Sequence, residues 1–115
     1  MSIWGTTSVT DTPEVVLSSW RVMEVTSPYW EGTSKHFVGY NETEHEGRVS
    51  SEIQSFDATT GKGITRSGRV YQLVGSSGYN SDAQYVWQRW KNINHAETEI
   101  DVTDKIEALC KKIVE

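Results

Sequence analysis

From Val15 to Thr26 the apolar residues Val15, Val16, Leu17, Trp20, Val22, Met23 and Val25 are mostly β-branched or aromatic and keep no helical spacing. That pattern predicts a strand, bulged near Ser18 and Ser19. Ser27-Pro28 opens a loop running through Gly32 to Lys35, and His36 to Tyr40 reads as a short second strand. From Arg48 to Phe56, Val49, Ser51, Ile53 and Ser55 alternate with Arg48, Ser50, Glu52 and Gln54, the signature of a strand with one buried and one wet face. Asp57 to Gly63 supplies turn chemistry, with Gly61-Lys62-Gly63 read as part of a hairpin leading into Ile64-Thr65-Arg66. Ser67-Gly68 then reads as a two-residue turn into a strand from Arg69 to Val74.

The period changes after Gly75-Ser76-Ser77-Gly78. Ala83, Val86, Trp87, Trp90 and Ile93 follow helical spacing behind Ser81 as N-cap and Asp82 in the first turn. Beyond a polar connection over Asn94 to Glu99, Asp101 or Thr103 can cap a second helix with the stripe Val102, Ile106, Leu109, Cys110 and Ile113. The fold class is α+β: a five-stranded antiparallel meander sheet or small partly open barrel, followed by two C-terminal helices. One domain is expected over 1–115, with a Thr- and Ser-rich extended arm at 1–13, the sheet at 14–75 and the helical pair at 79–115.

Composition narrows the function classes. Of 115 residues, 16 are Asp or Glu and 11 Lys or Arg, and an acidic excess opposes general binding to nucleic acid or anionic lipid. The single cysteine, Cys110, cannot form an internal disulfide, which makes the cytoplasm the expected location. Met1 to Thr6 carries neither a basic nor an apolar run, and no stretch has the length of a membrane span, so neither an export signal nor a membrane partner is expected.

Chemistry-bearing motifs are sparse. His36, His45 and His95 lack the close spacing of a zinc site and have no Cys partner; they read as strand or surface residues, and no metal or cofactor is expected. Gly61-Lys62-Gly63 lacks the upstream glycine and following helix of a phosphate loop. Ser67, beside Arg66 and Arg69, has no His or Lys base adjacent in sequence, so the chain reads as a non-enzyme. Trp87 and Trp90 read as core of the first helix, whereas Tyr29, Trp30 and Tyr79 fall in loops, as a contact surface or as a lid on the sheet.

The most distinctive string is Thr65-Arg66-Ser67-Gly68-Arg69-Val70-Tyr71-Gln72-Leu73. Two arginines flank the turn, Tyr71 follows on the face of Arg69, and Arg48 stands on the preceding strand. Guanidinium forks beside an aromatic ring suit a small anionic, nucleotide-like ligand. The simpler reading pairs these arginines with surface carboxylates such as Glu46, Glu52 or Asp57.

With this hairpin and the helices that follow, the chain resembles small proteins of bacteria and their phages. It also resembles the phage anti-Thoeris proteins that sequester cyclic ADP-ribose signals. That resemblance covers the central third of the chain. It implies an oligomeric α+β sponge that binds its nucleotide with arginine and aromatic side chains and performs no chemistry, here through Arg48, Arg66, Arg69 and Tyr71.

The leading expectation is a non-enzymatic binding protein holding a small anionic ligand, or a protein partner, at those four residues. The alternative is an acidic interaction module that inhibits a host defence complex through Glu42, Glu44 and Glu46 and through Glu97, Glu99, Asp101 and Asp104. The long first strand, if it presents an open edge, would support a homodimer.

Overall fold

The computed structural model describes residues 15–114, with side chains as far as Cys110; the arm expected over 1–13 lies outside these residues. The elements run β1 (Val15–Ser27), β2 (Trp30–Asn41), β3 (Glu46–Val49), β4 (Ile53–Asp57), β5 (Lys62–Thr65), β6 (Val70–Leu73), α1 (Ser81–Ile93), β7 (Thr98–Asp101) and α2 (Thr103–Val114). The fold is α+β, with a mostly open sheet in the order β3-β2-β1-β6-β5-β4, β7 also pairing with β1.

Among the described residues seven strands replace the expected five, for two physical reasons, and one strand is longer than expected. The strand expected from Arg48 to Phe56 is broken at Ser50–Glu52 into β3 and β4: the Ser50 N–H still donates to the Phe37 carbonyl of β2 at 2.9 Å, but the Phe37 N–H donates to Ser50 Oγ at 2.9 Å and the Ser50 carbonyl accepts from His36 Nδ1 at 2.9 Å, which ends the ladder there. The polar stretch after α1 contains β7, whose four residues are all exposed and whose place comes from pairing with Met23–Thr26 of β1. The expected loop before His36 shrinks to a tight turn at Pro28 and Tyr29, with β2 already under way at Trp30.

Nor is the sheet wholly antiparallel. Val15–Leu17 of β1 pair in parallel with Tyr71–Leu73 of β6, since the β4-β5-β6 meander curls back onto the edge of β1 that β2 does not occupy. The bulge expected in β1 is present: Ser19 has φ of +46° and the register with β2 shifts between Ser18 and Arg21. That same edge of β1 therefore takes β6 before the bulge and β7 after it. The edge expected to support a dimer is occupied within the chain.

The Arg66–Gly68 turn has three residues rather than two. Gly68 N–H donates to the Thr65 carbonyl at 2.8 Å, and Gly68, at φ of +90°, then lets the Thr65 N–H reach the Arg69 carbonyl at 3.1 Å. Helix α1 is capped one residue earlier than expected, by Asn80, whose Oδ1 accepts from the Ala83 N–H at 2.9 Å.

The sheet buries both faces. On the concave side Val15, Leu17, Trp20, Val22, Phe37, Tyr71 and Leu73 form one core, completed by Val102 and Ile106 of the α2 segment. On the other side α1 lies on Met23, Val25 and Val38, contributing Ala83 and Trp87. Alternation along β2 sets the division: Phe37 faces the concave core, while Ser34, His36 and Val38 face α1. This second face carries the site.

Candidate functional site

Where the C-terminal half of α1 meets the start of β2, a pocket of about 400 Å³ opens, lined by Trp30, Glu31, Ser34, His36, Ser51, Glu52, Arg66, Trp90 and Asn94. A volume of that order lies at the small end of ligand pockets. The Trp90 ring forms one wall. It stacks on Trp87 with centroids 5.2 Å apart and an interplanar angle of 13°, and its centroid lies 4.4 Å from that of His36. Trp30 closes the corner, its centroid 6.2 Å from that of Trp90.

His36 is 3% exposed and both ring nitrogens are engaged. Nδ1 lies 2.9 Å from the Ser50 carbonyl oxygen and Nε2 lies 2.7 Å from Ser34 Oγ. A carbonyl oxygen only accepts, so Nδ1 carries the proton, and in the neutral ring Nε2 accepts from the Ser34 hydroxyl. Burial pushes the His36 pKa below its ordinary value, outweighing the Ser50 carbonyl and the Glu52 carboxylate, which pull it upward. Ser50 is itself clasped to Phe37 of β2, which fixes the carbonyl that orients the imidazole.

The rim is tied together by serines. Ser67 N–H donates to Ser51 Oγ at 3.2 Å and Arg66 N–H donates to the Glu52 carbonyl at 2.8 Å, so the hairpin turn is pinned to the β3–β4 connection and Arg66 is set at the pocket. The charged lining is Glu31, Glu52 and Arg66. Among the described residues, Trp30 Nε1 is the buried side-chain polar atom with no hydrogen-bond partner. No three His, Cys, Asp or Glu side chains among those residues gather as a metal site requires.

The four residues singled out from the sequence are divided by the fold. Arg66 lines the pocket. Tyr71 is 1% exposed, its ring in the concave core 5.5 Å from that of Phe37, so only its hydroxyl meets a polar group, accepting from Arg48 Nε at 3.2 Å. Arg48 pairs opposite Gly39, on the Phe37 face of β2, with its guanidinium 6.0 Å from the Tyr71 ring centroid. Arg48 and Tyr71 thus stand together on one side of the sheet and Arg66 on the other, while Arg69 is exposed beyond the turn. Trp30, Ser34, His36 and Trp90 were not selected as a group. The signal for two of them was present: Ser34-Lys35-His36 places a hydroxyl and an imidazole two apart on a strand, hence on one face.

Stability below neutral pH should report on His36. The unfolded chain binds a proton at about pH 6.5 and the native ring only at lower pH, so protonation favours unfolding. The stabilisation is fully present above about 6.5 and is lost as the pH falls from there through the lowered native pKa, at no more than ~1.4 kcal/mol per pH unit for one proton. Urea unfolding at stepped pH should show this slope in the natural protein and lose it in His36→Gln; parallel curves for the two would rule out His36 as its source.

Compared with protein-family models, curated proteins and solved structures, the chain matches none.

Proposed function

We propose that this chain is a small-molecule-binding protein whose ligand occupies the pocket between Trp30, Trp90 and Arg66. The supporting observation is the pocket itself, about 400 Å³ in volume, walled by the indoles of Trp30 and Trp90 and lined by Arg66. Indole walls suit a planar or apolar body, and the Arg66 guanidinium suits a carboxylate or phosphate oxygen.

The lining charge refines the ligand class. Glu31 and Glu52 against Arg66 leave the pocket with one net negative charge, which disfavours polyanions such as dinucleotides. A neutral or singly charged ligand with a ring and one acceptor group fits better than the cyclic ADP-ribose signal that the resemblance implies.

Tryptophan fluorescence and native mass spectrometry against a panel of aromatic carboxylates and uncharged nucleosides test this. Saturable quenching is expected, with a raised melting temperature. Arg66→Ala should weaken binding roughly 10- to 100-fold, the range for loss of a charge-assisted hydrogen bond. No adduct and unaltered melting across the panel, or equal affinity in Arg66→Ala, would count against the reading.

A further inference from the structure

We propose that Ser34 is a nucleophile activated by His36, and that the pocket hydrolyses small carboxylic esters. This rests on the pocket taking a small ligand, as argued above, and adds the reaction and the substrate class.

Three parts of an acyl-transfer site are in place. The nucleophile and base are in hydrogen-bond contact, Ser34 Oγ to His36 Nε2 at 2.7 Å. The base is oriented from behind by the Ser50 carbonyl at 2.9 Å from Nδ1, the role a carboxylate fills in other serine hydrolases. Both side chains line the same pocket as Arg66, whose guanidinium is a donor of the kind that stabilises an oxyanion. A structural role alone would explain a Ser-His hydrogen bond. It would not explain why the pair lines a pocket that also carries a guanidinium.

The chemistry closes on itself. Ser34 Oγ bonds to the ester carbonyl carbon as its proton passes to His36 Nε2, and the carbonyl π pair moves onto oxygen as an oxyanion. Collapse of the oxyanion breaks the bond to the alkoxy oxygen, which takes the proton from Nε2 and leaves as the alcohol. Water then adds to acyl-Ser34, giving a proton to His36. The second collapse breaks the carbon–Oγ bond, and Oγ recovers its proton from Nε2. One ester and one water become one acid and one alcohol, with no other reactant. With Glu31 and Glu52 against Arg66 the lining carries one net negative charge, which favours an uncharged ester over an anionic one.

The test is covalent labelling of the full chain with a fluorophosphonate probe, mapped by tandem mass spectrometry, alongside turnover of 4-nitrophenyl butyrate. One adduct per chain on Ser34 is expected, and Ser34→Ala should lower ester turnover about 100-fold or more. His36→Gln should lower both labelling and turnover, with circular dichroism confirming that each variant is folded. Absence of a Ser34 adduct in the natural protein, which needs no variant to fold, overturns the proposal; so does labelling of a different serine, or turnover unchanged in folded Ser34→Ala. Saturable ligand binding without a Ser34 adduct retains the binding reading and removes the nucleophile. Ser34 labelling without binding of any panel ligand does the reverse.

Discussion

Replacing Trp87 with alanine should destabilise the protein by about 3–5 kcal/mol, the range for truncating a fully buried Trp. The side chain is 0% exposed and among the largest wholly enclosed. It packs with Met23, Val25, Val38 and Ala83 beneath α1, and Trp90 stacks on it. Its Nε1–H also donates to Glu99 Oε2 at 2.6 Å, while Lys91 Nζ approaches Glu99 Oε1 at 2.7 Å. Burial alone would raise the Glu99 pKa, but the hydrogen bonds from Lys91 and Trp87 hold it below its ordinary value, so truncation also removes a donor to a carboxylate. Natural domains of this size hold about 5–15 kcal/mol in total, so the variant should lie close to its unfolding threshold. Urea titration measures the loss, and Trp87→Phe, which keeps an apolar ring and loses the N–H, should cost less than alanine. A shift below about 1 kcal/mol for Trp87→Ala would show that α1 is not anchored through this ring. The same variant removes the support behind Trp90, and with it one wall of the pocket.

Gly47→Ala is expected to cost about 1–3 kcal/mol, toward the upper end, through overpacking. A Cβ at this position would lie 2.6 Å from the Ala83 nitrogen and nearer still to the Asp82 carbonyl. These are backbone atoms of the first turn of α1, so no rotamer change relieves the clash. Either the helix start lifts from β3 or β3 leaves β2. Hydrogen exchange separates the outcomes: lost protection confined to the first turn of α1 marks the former, and loss over β3 the latter. Unchanged stability would mean that the contact between β3 and α1 is loose, contrary to the close approach at Gly47. Gly63 is a second close approach, where a Cβ would lie 2.6 Å from Phe37 Cε2, but there the neighbour is a ring.

Where the pattern is local, sequence and structure agree. The β-branched run from Val15 makes β1, the bulge near Ser18 and Ser19 is present, and the spacing of Ala83, Trp87 and Trp90 makes α1 and turns their small and aromatic side chains toward the sheet. Disagreement appears where partners are distant. Residues 98–101 carry no apolar alternation, and β7 exists because the edge of β1 beyond its bulge supplies backbone partners. Tyr71 reads as a surface ring beside Arg69, yet parallel pairing with Val15 places it at the centre of the concave core.

The candidate site divides along the same line. Arg66 was legible because a cation flanking a turn is a local feature, and Ser34-Lys35-His36 carried its i, i+2 relation in plain view. Their meeting was not legible, because it depends on α1 bringing the Trp90 ring centroid to within 4.4 Å of that of His36 and on the Ser50 carbonyl facing the imidazole at the end of the β2–β3 ladder.

By itself the sequence determined the segments whose own hydrophobic period is strong, β1 and the two helices above all, since the periods of two and 3.6 are written in neighbouring residues. It also determined the acidic charge balance and the residue types available for chemistry. Only the tertiary structure decided which strand edges pair, that Arg48 and Arg66 lie on opposite sides of the sheet, and that a serine, a histidine, two indoles and an arginine share one pocket. Those outcomes follow from the curl of the sheet and from contacts between residues far apart in the chain, which no local period encodes.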